Sequence, residues 1–147
     1  MDEHSEALAR GVDAALPGWV ERSVTRIIVA YRGEVPPEVA SDAARAGQEA
    51  RREVAGRVRS LLEQDIDAQT TTPLAIVREA VRYPTAVLRR AGVPPVERDE
   101  FAEARFPEDD YGLTPASWAE VGPELAELGM AWGAAKAMAH RRRHGAG

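Results

Sequence analysis

Proline sets the frame of this chain. The ring fixes φ near its helical value and removes an N–H, so it suits the first turn of a helix and disturbs the interior. Pro17, Pro37, Pro73, Pro84, Pro95, Pro115 and Pro123 each precede a run of good helix formers. Thr72 and Thr114 stand directly before Pro73 and Pro115, where a hydroxyl can cap the free N–H groups of the first turn. Pattern and punctuation together predict an all-α fold, a single compact domain of about six to eight helices spanning residues 1–147. Residues 1–6 and 143–147 are expected to fray.

Periodicity fills in the helices. Leu8, Val12, Leu16, Val20, Val24, Ile27, Ile28 and Tyr31 recur every three or four residues, giving a first helix from about Glu3 to Tyr31. Pro17 and Gly18 should kink or split it. "VTRIIVAYRG" also alternates as a strand would, but no second strand exists to pair with it. A long second helix, about Pro37 to Asp65, carries the stripe Ala43, Gly47, Ala50, Val54, Val58, Leu61, with an arginine-rich solvated face opposite. After the polar connection "DAQTTTP" a third helix buries Leu74, Val77 and Val81 and is expected to stop or kink at Tyr83, before Pro84. A fourth ends at Gly92, a natural left-handed C-terminal residue. A fifth runs from about Val96 to Arg105, then a short helix over "PASWAEV", and a last one from Pro123 to about Arg142.

Composition bounds the function. A chain of 147 residues with 44% hydrophobic and 29% charged side chains can bury one core and is too apolar for general disorder. It has no cysteine, which excludes disulfides, thiolate metal sites and a cysteine nucleophile. The start "MDEHSEALAR" is acidic where a signal peptide is basic, and no apolar run approaches the roughly 20 residues of a membrane span. A cytoplasmic location without membrane association is the expectation. The net charge of −5 argues against a dedicated nucleic-acid coat.

Catalytic signatures are missing. There is no Gly-x-Ser-x-Gly elbow, no phosphate-binding glycine loop and no Gly-x-Gly-x-x-Gly fingerprint, and no cofactor is implied. His140 and His144 share a helix face at ligand spacing, but Arg141, Arg142 and Arg143 between them repel a divalent cation. They read as exposed side chains near a helix C-terminus.

The stretch "RDEFAEARFPEDDYGL" is the most unusual chemically. Between Glu97 and Asp110 seven acids face only Arg98 and Arg105. Asp99 and Glu103 lie four residues apart and, with Asp110, are weak candidates for a metal. The plainer reading is that Phe101, Phe106 and Tyr111 pin the corner while the acids face water. Asp99, Glu100, Glu103, Glu108, Asp109 and Asp110 are then candidates for contact with a protein partner. Arg78, Arg82, Arg89 and Arg90 either neutralise this corner or touch phosphate, and no helix with exposed base readers is evident.

In the last helix Gly129, Gly133 and Ala137 leave one edge almost bare beside Met130, Ala134 and Met138. Two interior glycines cost about 1 kcal/mol each, which a closely packed neighbour would offset. The small first half of the second helix is the expected internal partner. A homodimer through this edge is the alternative.

The stretches "VREAVRYPTAVLRRAGVPPVERDEFAEARFPEDDYGLTPASW" and "AWGAAKAMAHRRR" resemble an uncharacterised family of small conserved actinobacterial proteins. The resemblance spans Pro17 to Arg143 and implies no activity and no catalytic residue. The expected function is a non-enzymatic helical protein-interaction or regulatory module acting through the corner 97–110. Alternatives are a small-ligand or metal-binding enzyme using Asp99, Glu103 and Asp110 with arginines, and a weakly nucleic-acid-associated protein.

Overall fold

The structure, a computed structural model, describes residues 1–65 and 69–143. His144 and the rest of the tail, with Asp67 and Ala68 of the polar connection, lie outside the described residues. Joining segments that abut gives six helices, and the described residues contain no strand. They are α1 (Glu3–Arg32), α2 (residues 37–62), α3 (residues 73–90), α4 (Glu100–Arg105), α5 (Trp118–Val121) and α6 (Leu125–Arg143). None is long and apolar enough to cross a membrane.

Helix α1 is the axis on which α2, α3, α5 and α6 pack. Asp2 caps it, its Oδ1 accepting from Ser5 N at 2.7 Å, and Glu3 and Glu6 add charge favourable to the N-terminal dipole. This end, expected to fray, is helical from Glu3 and buries Ser5. Gly33, at φ 84°, closes the other end by donating to Val29 O. Leu8, Leu16 and Ile28 are fully buried along one face, joined by Leu62 of α2, Leu88 of α3 and Leu125 of α6 in one core. Tyr31, counted to that face by its spacing, is exposed.

Pro17 does not split α1, which runs unbroken from Glu3 to Arg32. Its surroundings show why the site matters: a Cβ on Gly47 of α2 would come within 3.0 Å of Pro17 O and 3.1 Å of Pro17 Cα. The two backbones meet there without side chains between them. Gly47 therefore packs against α1, and the expectation that the small half of α2 receives α6 is corrected.

Helix α2 begins at Pro37 as expected and ends at Leu62, short of Asp65. Its whole stripe from Ala43 to Leu61 is buried, and it widens to π geometry over Arg51–Ala55. In α3 the Thr72 hydroxyl accepts from Ala75 N at 3.2 Å and Pro73 opens the helix. Pro84 does not end it. A single 3-10 turn, Glu79–Val81, absorbs the missing N–H, and helix resumes over Arg82–Arg90. Gly92, at φ 79°, then terminates the chain direction with Gly92 N donating to Arg89 O and Val93 N to Leu88 O, the paired bonds of a Schellman end.

Candidate functional site

The corner between α3 and α5 is a loop closed at its neck. Val96 N donates to Asp110 O at 2.9 Å and the buried Tyr111 hydroxyl donates to Val93 O at 2.7 Å, so the chain leaves and returns at adjacent points. Inside the loop Arg98 Nη1 donates to Phe106 O at 2.7 Å. Asp99 caps α4, its Oδ1 accepting from Ala102 N at 2.7 Å.

Asp109 organises the exit. It is 3% exposed. Its Oδ1 accepts from Leu113 N at 2.8 Å and Tyr111 N at 3.3 Å, while Oδ2 accepts from Thr114 N at 2.8 Å and the Thr114 hydroxyl at 2.7 Å. Burial alone would raise this carboxyl, but the donors from Leu113, Thr114 and Tyr111 outweigh it and hold the group below the usual range. Sequence reading placed Asp109 with the partner-facing acids; the structure corrects this, because it is a buried hub of the turn.

Asp110 is also engaged. Its Oδ2 accepts from Arg89 Nε at 2.6 Å, and that contact holds its carboxyl low. The remaining acids, Glu97, Asp99, Glu100, Glu103 and Glu108, are exposed. Among the described residues no three His, Asp or Glu side chains lie close enough to hold a metal, so Asp99, Glu103 and Asp110 are not brought together.

The aromatics divide. Tyr111 is buried and Phe106 half-buried, but Phe101, expected to pin the corner, is 70% exposed, and α4 buries none of its residues. Arg105 spreads over both Phe101 and Phe106, at 5.9 and 5.2 Å from the ring centres. The outer face of the corner is thus one exposed phenylalanine, with exposed Val96, set among carboxylates.

The arginines of α3 serve the protein itself. Arg78 forks onto the carbonyls of Pro115 and Ala116, at 3.0 Å each. Arg82 contacts the Tyr83 hydroxyl and Glu53, Arg89 holds Asp110, and Arg90 holds Asp42 through two bonds of 2.9 Å. Tyr83 donates to Glu53, and burial first, then that carboxylate, pushes its hydroxyl up, so it stays protonated.

Arg78 also explains a missing helix turn. Thr114 and Pro115 look like a helix start, yet α5 begins only at Trp118. The Thr114 hydroxyl is spent on Asp109, and the two carbonyls that would open the helix accept from Arg78 instead. Residues 112–115 of the resulting irregular segment, with Glu120, form one wall of a cleft of about 530 Å³ whose other wall is Trp19, Arg22, Ser23 and Arg26 of α1. Sequence reading missed these four; the signal available was a serine at a core position of α1 between two arginines four apart.

Helix α6 departs from its expected role at both glycines. At Gly129 a Cβ would lie 2.5 Å from Trp118 Nε1, so the glycine is required by a close neighbour, which is α5 and not α2. At Gly133 it would meet nothing within 4 Å, and Ala137 is exposed, so neither makes the expected internal contact. Met130 and Met138 are 69% and 47% exposed on the same side. His140 is exposed as well. Compared with protein-family models, curated proteins and solved structures, the chain matches none.

Proposed function

We propose that this protein is a non-enzymatic helical interaction module that engages a protein partner through the outer face of the corner 97–108. The observation that carries the reading is Phe101: a large apolar side chain left 70% exposed on a helix that buries nothing of its own, at the tip of a loop closed by Tyr111 and braced by Asp109. Isolated exposed apolar residues are ordinary. One carried on a short helix together with exposed Glu100 and Glu103 has the make-up of an anchor with a charged rim. The complementary partner is a basic surface with an apolar pocket.

A photo-crosslinking phenylalanine analogue at position 101, in the cell that makes the protein, tests this. The expected result is one discrete crosslinked partner, lost when Glu100 and Glu103 are both changed to lysine. Products no different from those of the same probe at exposed Val29 would refute the reading.

A second reading concerns α6. Glu127, Met130, Ala134, Ala137 and Arg141 follow a 3-4 spacing along one exposed side. In an antiparallel pair of copies centred on Ala134, Glu127 meets Arg141 and Met130 meets Met138, which adjoins the stripe at Ala137, so this side is complementary to itself. Sedimentation of the intact chain, with Ala134→Glu as the disrupting variant, decides whether such a dimer forms.

A further inference from the structure

We infer that the cleft between α1 and residues 112–120 binds a small oxyanion, the phosphoryl or carboxylate group of a metabolite, independently of the corner's role. Its volume of about 530 Å³ falls within the range of small-molecule sites, roughly 300–1,000 Å³. What sets it apart is an excess of donors. Ser23 and Trp19 are 6% and 5% exposed, line the cleft, and make no side-chain hydrogen bond among the described residues. Arg26, one turn beyond Arg22 on the same face, forms neither an ion pair nor a hydrogen bond there. It is unlike Arg78, Arg82, Arg89 and Arg90, each of which has an acceptor within the chain.

Side chains on the lining whose donors are unused within the chain can give them to a ligand that only accepts. A guanidinium, a hydroxyl and an indole on one lining suit a group carrying several oxygen acceptors and negative charge. Arg22 donates one Nη2 bond to Val121 O at 3.0 Å, which fixes its stem and leaves its other N–H groups available. The opposite wall is equally set: Asp109 holds Leu113 and Thr114, and Arg78 holds Pro115 and Ala116. Glu120, the one acid on the lining, is turned to the Ala116 N–H and leaves the α1 side to the cations.

The test is an NMR titration of the intact chain, following the Trp19 indole N–H and the Ser23 and Gly112 amides. Inorganic phosphate and succinate are the two probes, with sodium chloride at matched ionic strength as the control. Saturable shifts confined to these resonances are expected with at least one probe, and the tighter probe says which oxyanion is preferred. Arg26→Gln should weaken that binding about tenfold or more, the effect of losing one charge-assisted contact, while the melting temperature stays unchanged because Arg26 supports nothing else. Ser23→Ala should weaken it less and also remain folded. Shifts reproduced by sodium chloride, no saturation below about 10 mM of either probe, or equal affinity in Arg26→Gln would overturn the inference.

Discussion

Gly129 of α6 lies against the indole of Trp118, so close that a Cβ there would stand 2.5 Å from the ring nitrogen. The short α5 is held to the bundle through this contact, and with it the end of the wall that faces α1. Gly129→Leu should destabilise the protein by about 1–3 kcal/mol or more, since the ring has to be displaced. Gly133→Ala, one turn on and facing open space, should instead gain up to about 1 kcal/mol from helix propensity. Thermal or urea unfolding of the two variants gives the comparison, and equal effects would refute it.

Gly47 and Pro17 provide a second test. The atoms that a Cβ at Gly47 would meet are backbone oxygen and Cα, which cannot swing aside as a side chain can. Gly47→Ala is expected to cost about 1–3 kcal/mol in spite of alanine's better propensity. Gly56→Ala, in the same helix with nothing within 4 Å, should be neutral or stabilising. A stabilised Gly47→Ala variant would mean that α1 and α2 are farther apart than described.

Asp109→Ala leaves the N–H groups of Leu113 and Thr114 and the Thr114 hydroxyl without their acceptor. A loss of about 2–4 kcal/mol is expected from bonds to a buried charged group, measured by urea unfolding. Hydrogen exchange should show the damage concentrated at residues 109–117.

The same carboxyl makes stability depend on acid. Its folded-state pKa is lowered below the ordinary aspartate value of 3.8, so the unfolded chain binds the proton more readily. The stabilisation is full above that ordinary value and is lost as pH falls through the depressed folded one. Asp110, held low by Arg89, and Glu6, held low by its bond to Arg59, act with the same sign. Unfolding free energy should therefore decline as the medium is acidified below about pH 4, and Asp109→Asn should flatten that decline. An unchanged slope in this variant would remove Asp109 from the account.

Local chemistry made much of this fold legible. Pro37, Pro73 and Gly92 work where the sequence places them because the groups they need, a free first turn and a left-handed end, belong to their own helices. The errors came where a distant residue took a local group. Thr114 and Pro115 imitate Thr72 and Pro73, but Asp109 and Arg78 consume the hydroxyl and carbonyls that a cap would use. Phe101 has the apolarity of a core residue, but a helix of only six residues between charged neighbours has no buried face to give it. Of the candidate acids, charge pattern found the exposed ones and could not single out Asp109, whose burial depends on the turn that follows. The α1 cleft is not legible in the sequence because Arg22 and Arg26 read as a solvated helix face, and only the fold brings residues 112–115 and Glu120 opposite them.

The neck formed by Val93, Val96, Asp110 and Tyr111 has a consequence for how such a chain can change over time. Everything that distinguishes the corner lies between two points already bonded to each other, and α4 contributes nothing to the core. Residues 99–104 can therefore be exchanged for another segment of similar length, while residues 105–108, which face Ala75, Arg78, Glu79 and Val81 of α3 across a cleft, keep their place. The scaffold becomes a socket into which different recognition segments fit, and a new specificity costs the bundle no redesign.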